Sequence, residues 1–190
     1  MEATPAILLR KVPWSETSLI VTWLTERFGT VRTVARGACR PKSAFAGMLD
    51  LFYTADIAFS FSRKGDLHTL REVSVRSVFN VSDAKNSGFY LASYFGELSA
   101  MAAPSMQPAP EIFDLLRRGL NFVQQSPASL KALNHFETEL CRILGVHDPR
   151  GNIAAIDALA SLCGVIPGSR AAAVRFLGHA DNRLSSLRSF

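Results

Sequence analysis

The sequence offers little sulfur chemistry. Its three cysteines, Cys39, Cys141 and Cys163, stand far apart, and no CxxC or HExxH occurs. An odd count without paired spacing excludes a disulfide framework and fits a reducing compartment. Long apolar runs are also missing. The N-terminal MEATPAILLRKVPW carries only Ala6–Leu9 as an apolar run before Arg10, too short for a signal-peptide core. No stretch approaches the roughly 18 apolar residues of a membrane span. A soluble, cytoplasmic protein without a membrane partner is the expectation. No GxxxxGK[ST] loop is present, so ATP use is not expected. His68, His135, His147 and His179 lie in different segments without a partnered Cys or Ser motif, and Ser43 beside Lys42 lacks the S-x-x-K spacing. Catalysis therefore finds no constellation to work with: the reading is of a chain that is not an enzyme, with no catalytic residues, no metal site and no cofactor.

What is present is apolar material and a basic bias. Hydrophobic residues make up 48% of the chain, with 13 phenylalanines, enough for a buried core and against disorder. The formal charge is +5, a mild preference for anionic partners. It is uneven: residues 1–80 hold 11 Lys and Arg against 7 acids, whereas residues 81–190 hold 10 against 9.

The first eighty residues read as strands. AILLRKV (6–12) is a short apolar run, SLIVTWLTE (18–26) and TVRTVARG (30–37) are rich in β-branched residues, and LFYTADIAFSFS (51–62) alternates. RKGD (63–66) supplies a hairpin turn before LHTLREVSV (67–75). Five short strands separated by turns predict a small barrel or sandwich. After Asn80 the period becomes helical. GFYLASYFGELSAMA (88–102) and EIFDLLRRGLNFVQQ (111–125) are separated by the linker SMQPAP, and Ser126-Pro127 reads as the N-cap and first residue of a third helix running to about Leu144. Residues 151–165 and 169–179 are two shorter helical candidates, and 181–190 read as weakly ordered. The layout is an α+β chain: a β domain over 1–80 and a helical domain over 81–190, with the boundary near 80–87.

One stretch concentrates the charge. RGACRPKSAF (36–45) places Arg36, Arg40 and Lys42 within seven residues, and no acid lies between Arg27 and Asp50. In an extended strand Arg32, Val34 and Arg36 share a face. Guanidinium groups suit bidentate phosphate contacts, and lysine adds a point charge. Lys11 and Arg63-Lys64 extend the positive surface. Aromatic platforms for base stacking are available in Trp14, Trp23, Phe28, Phe45 and Tyr53. Of these Phe45, within the basic loop, is the favoured base contact; Trp23 and Tyr53 sit inside strand patterns and are read as packed, and most of the phenylalanines as core. The nucleic-acid-binding set is thus Arg32, Arg36, Arg40, Lys42 and Phe45. The competing reading is an ordinary solvated turn between two strands.

Several of these segments together resemble the RecO family of bacterial recombination mediators. The resemblance runs through SET (15–17), LTERFGTVRTVARGACRPKSAFAGMLDLF (24–52), LREV (70–73) and FETELCRILGV (136–146). The ARGACRPKS stretch is the most specific part and is similar to the family's GxxxxVA(R/K)GAR(R/K)PKS. The resemblance implies an N-terminal five-stranded OB-fold followed by a helical domain, in a bacterial, nucleoid-associated protein of DNA repair. It implies binding of single- and double-stranded DNA, annealing of complementary strands, and recombinase loading with RecR and the single-stranded DNA-binding protein. The acidic tail of that last protein, ending in an apolar residue, would suit Arg117, Arg118 and Arg142, which lie on helices rich in Leu and Phe. The alternative for these three is that they decorate amphipathic helices. Two departures stand out. RecO chains are typically longer than 190 residues, and many carry a cysteine-based zinc site late in the helical domain. Here GNIAAIDALASLCGVIPGS holds only Cys163, and His147, Cys163 and His179 lack zinc spacing, so no zinc is expected. A different class, a protein-interaction scaffold of the same architecture without DNA binding, remains the second reading.

Overall fold

A computed structural model of the chain describes residues 1–80 and 86–186, the side chains of Asn86 and of 178–186 excepted. Five strands form a closed barrel: β1 (Glu2–Pro13), β2 (Leu19–Thr25), β3 (Gly29–Ala35), β4 (Thr54–Ser60) and β5 (Leu67–Ser77). Their order round the barrel is β1-β2-β3-β5-β4. Neighbours are antiparallel except β3 and β5, which pair in parallel over Arg32–Val34 and Leu67–Thr69. This is the OB-fold, in which closure removes the unpaired edges a flat sheet would expose.

Alternation places the core. Val21 and Trp23 of β2, Val31 of β3, and Ala55, Ile57 and Phe59 of β4 point inward. Trp23 is fully buried, and its indole N–H donates to Thr33 Oγ1 at 2.9 Å, which removes the cost of an unpaired buried donor. Among the strand ends that fall short of their sequence-predicted limits, two flank the basic loop. β3 stops at Ala35, because Gly37 turns the chain at φ +68°. Arg36 therefore sits in a turn rather than on an extended strand. β4 begins at Thr54, because Phe52 adopts φ +63° and donates its N–H to Leu8 O at 2.8 Å.

The helices are α1 (Asn86–Ala102), α2 (Pro110–Gln125), α3 (Leu130–Ile143), α4 (Ala155–Cys163) and α5 (Ser169–Ser186). The N-cap of α3 is Ser129, not Ser126: the Ser129 hydroxyl accepts from Ala132 N at 3.2 Å. α4 starts four residues later than the 151–165 pattern suggests. The Asp148 carboxylate takes the N–H groups of Asn152 and Ile153 at 2.7 and 3.0 Å and holds them in a loop. α5 continues to Ser186, through part of the stretch read as weakly ordered; the rest of that stretch, like most of the predicted boundary at 80–87, lies outside the described residues.

By packing, the chain forms two compact units. One is the barrel with Ala103–Arg117; the other comprises Asn80–Ala102 and the chain from Arg118. The return of 103–109 to the barrel is not in the sequence pattern. Thr30 N donates to Pro104 O at 3.0 Å and Ala109 N to Glu26 O at 3.1 Å. Gly29, at φ +56°, makes room: a Cβ there would lie 2.0 Å from Pro104 O. In the helical unit, Phe95 and Phe136 stack at 3.9 Å over Gly119. Beside them Glu137, 2% exposed, accepts from the Tyr94 hydroxyl at 2.7 Å and from Arg170 Nε at 2.7 Å.

Candidate nucleic-acid interface

Two loops of the barrel build a cleft from the basic stretch. The β1–β2 turn is tight: Trp14 N donates to Ser18 O at 2.9 Å and Thr17 N to Ser15 Oγ at 3.4 Å. The β3–β4 loop is a chain of turns, with Arg40 N donating to Gly37 O at 3.1 Å and Ser43 N to Arg40 O at 3.0 Å. The two are tied together twice. Gly37 N donates to Ser18 Oγ at 3.3 Å, and Cys39 N to Thr17 O at 3.0 Å. At its far end the β3–β4 loop is held by Lys11, whose ammonium donates to Leu49 O at 3.0 Å and to Asp50 Oδ1 at 2.7 Å. That bond is the main reason the Asp50 carboxyl is held below the usual carboxylate range, helped by the Leu51 N–H. Fixed at both ends, the loops border an open cleft of about 350 Å³ lined by Trp14, Ser15, Thr17, Ser18, Val34, Arg36, Gly37 and Arg40.

The predicted residues separate. Arg36 and Arg40 line the cleft, and Arg40 lies along Gly37, its Cδ 3.5 Å from where a Cβ would stand. Lys42 is exposed in the next turn of the same loop but does not line it. Arg32 is exposed on β3 and bound to Asp66 at 3.0 Å. Phe45 corrects the expectation: it is 8% exposed and belongs to the barrel core, so it has no face to offer a base. Its ring packs with the barrel core, where burial removes its apolar surface from water. Tyr53 and Phe28 are partly buried, and Phe28 packs edge-on against Phe59 and Phe61. Trp14 is the residue that sequence reasoning set aside: it is 60% exposed and lines the cleft. The available signal was its position after Pro13, outside any alternating run.

Charge pairing divides the basic side chains of the barrel. Lys11, Arg27, Arg32 and Arg76 form ion pairs with Asp50, Glu2, Asp66 and Asp56, and Arg71 donates to Ser60 Oγ. Among the described residues, the side chains of Arg36, Arg40 and Lys42 have no ion pair or hydrogen bond, and the same holds for Arg10, Arg63 and Lys64. Of the three helical arginines, Arg117 belongs to the barrel unit and bonds Asp114 at 2.6 Å, and Arg142 bonds Glu139 one turn before it on α3. Arg118 is exposed on α2 and has an interaction of its own. No group of three or more His, Cys, Asp or Glu among the described residues is placed to hold a metal ion, and burial raises the thiol pKa of both Cys141 and Cys163. None of the described helices is long and apolar enough to cross a membrane.

Comparison with known proteins bears on this site. Residues 1–79 match the family described as Recombination protein O N terminal. Among curated relatives, the DNA repair protein RecO of Rhodopirellula baltica is 33% identical over 145 residues, 76% of this chain and 53% of the relative. That of Idiomarina loihiensis is 34% identical over 147 residues, 75% of this chain and 60% of the relative. That of a Polaromonas species is 34% identical over 146 residues, 75% and 56%. The chain thus spans little more than half the length of the curated relatives it matches.

Proposed function

We propose, from the premise that the chain belongs to the RecO family, that its barrel binds single- and double-stranded DNA by the phosphates through Arg36, Arg40 and Lys42, and so promotes strand annealing in DNA repair. The observation that carries this reading is the contrast in charge pairing. The barrel pairs Lys11, Arg27, Arg32 and Arg76 with its own carboxylates, yet among the described residues it leaves these three exposed and without an ion pair together on one fixed loop, whereas the other unpaired cations, Arg10 and the Arg63-Lys64 turn, lie elsewhere in the sequence. An unpaired guanidinium loses no protein partner when a phosphate arrives. Arg32 differs: its exposed ion pair with Asp66, an interaction worth about 0–1 kcal/mol, must be exchanged for any phosphate.

The mechanism is electrostatic and makes or breaks no bond. Cations on the loop neutralise one strand, release its counterions and lower its repulsion of a complementary strand. Phosphate contacts carry no sequence information, so any sequence is held. Family membership is also the support for RecR and the single-stranded DNA-binding protein as partners in recombinase loading, a role for the helical unit.

Fluorescence anisotropy of labelled DNA at two salt concentrations tests the reading. Binding should weaken steeply with salt. Single strands lose about 0.7 in slope per phosphate contact, so the R36E/R40E/K42E variant should bind far more weakly with a slope shallower by roughly 2. No binding at low salt by the unaltered chain, or an unchanged slope in the variant, would leave the interaction scaffold as the better description.

A further inference from the structure

We infer that the cleft between the β1–β2 turn and the basic loop is a subsite for one unpaired base, stacked on Trp14 with its flanking phosphate on Arg36 or Arg40, which makes this face of the barrel prefer single strands. The inference rests on the phosphate reading above and adds the half of the nucleotide that phosphate contacts leave unread.

Trp14 is a large apolar ring, 60% exposed, on a barrel that buries its other tryptophan completely. A tryptophan left in water forfeits the stabilisation its burial would give, so its exposure beside two arginines that have no partner among the described residues is informative. No hydrogen bond of its indole N–H and no ring contact of Trp14 is present among the described residues. The ring is nevertheless on a rigid mount. The Trp14 N–H is bonded to Ser18 O, and the Ser18 hydroxyl accepts from Gly37 N of the facing loop. A platform fixed before binding loses little conformational freedom when a base lands on it. The size fits a single unit: about 350 Å³ lies at the lower end of the range for small-ligand sites, room for one nucleotide and not for a run of them. The chemistry is mixed in the way a nucleotide is mixed, with a π-face from Trp14, aliphatic surface from Val34, hydroxyls from Ser15 and Thr17, and guanidinium charge from Arg36 and Arg40. Stacking of this kind tolerates every base, because each has a π-face.

Strand preference follows from access. Phosphates are available on a duplex and on a single strand alike. The face of a base is available only where its neighbours in the stack are absent or displaced. Arg36 and Arg40 therefore serve both forms, whereas Trp14 serves the unpaired one.

The test uses the full chain with a labelled oligothymidine of about 16 nucleotides, a length within one OB-fold site, and a blunt duplex of equal length. Trp14→Ala should weaken single-strand binding roughly tenfold, the equivalent of about 1.4 kcal/mol for one stacked base, while duplex binding changes less than twofold. Trp14→Phe should restore most of the loss. The exposed position of Trp14 leaves folding intact, which circular dichroism checks. Intrinsic fluorescence is a second readout: because Trp23 is buried, quenching by the oligothymidine, absent with the duplex, should come from Trp14. Trp14→Ala binding single strands as well as the unaltered chain would overturn the stacking subsite, as would equal losses on both DNAs. If R36E/R40E/K42E binds both DNAs unchanged, the phosphate reading itself fails; if it loses binding and Trp14→Ala does not, only the subsite fails.

Discussion

Two arginine settings, one in each unit, are opposites. In the helical unit Arg170 is mostly buried and donates to both oxygens of Glu137, a carboxylate that also receives the Tyr94 hydroxyl. In the barrel Arg36 and Arg40 stand in water with no partner among the described residues. Net charge does not distinguish these cases, because each guanidinium contributes one positive charge. Pairing does. A guanidinium whose donors are taken by a buried carboxylate is part of the fold, and removing its partner leaves charge without compensation. One that is exposed and unpaired adds nothing to stability and stays available to an external anion.

The sharpest way to break this comparison is to remove Glu137. Glu137→Ala leaves the Tyr94 hydroxyl and the Arg170 guanidinium without their acceptor. Losing one member of a buried pair costs about 3–5 kcal/mol; Arg170 is 27% exposed and can partly rehydrate, which places the expectation near 3 kcal/mol. Burial and the adjacent carboxylate also push the Tyr94 phenol far above its ordinary pKa, so it remains a donor throughout the usual pH range. Thermal unfolding reads the loss. Glu137→Gln, which keeps an acceptor for Tyr94 but not the charge, should cost less, and equal losses in the two variants would show that packing rather than charge dominates. Arg36→Ala in the same assay should leave stability unchanged.

The barrel has its own buried titratable group, and it predicts a pH dependence of stability. His68 is 5% exposed, stacked on Phe59. Its Nδ1 accepts the Ser62 N–H at 3.1 Å, so Nε2 carries the proton, facing Met106 Sδ at 3.2 Å. Burial lowers the His68 pKa and outweighs the attraction of Asp66. Both states are neutral above the usual histidine pKa of about 6.5. Below it the unfolded chain takes up a proton that the folded barrel resists. Stability should therefore be full above about pH 6.5 and fall as pH drops toward the lower folded value. His68→Gln should flatten the profile measured by denaturation across that window; an unchanged slope would show that His68 is not its source.

Much of this architecture is legible in the sequence because periodicity reports direction. Alternation in 51–62 identifies Ala55, Ile57 and Phe59 as inward, and the change of period after Asn80 separates barrel from helices. Where the chain has no period, side-chain direction is set by tertiary contacts the sequence does not display. Phe45 and Trp14 both lie in loops; one anchors its loop in the core and the other is left outside by the turn that holds it. Phe45 therefore looked available and was not. The start of α4 was hidden for a related reason, since Asp148 competes for its first N–H groups through side-chain bonds that helical spacing does not encode. The return of Ala103–Ala109 to the barrel depends on Gly29, whose missing side chain is a signal only once Pro104 is known to lie against it.

The smallest expected effects belong to the paired arginines on helix surfaces. Arg117 and Arg142 follow their carboxylate partners, Asp114 and Glu139, by three residues, the favourable order along a helix. Such exposed pairs contribute about 0.3–0.5 kcal/mol, so Arg117→Ala should lower stability by no more than that. Arg142 lies in the last turn of α3, where a cation also meets the negative end of the helix dipole, an added stabilisation of about 0.3–1 kcal/mol. Arg142→Ala should thus cost slightly more than Arg117→Ala, and both far less than Glu137→Ala. Denaturant titration of the three variants checks the ranking. A loss above about 2 kcal/mol for Arg142→Ala, well beyond what an exposed pair supplies, would place it with Arg170 among the arginines the fold has consumed. A loss of a few tenths would leave its head group only loosely held, and an acidic peptide could then compete with Glu139 for it at little cost.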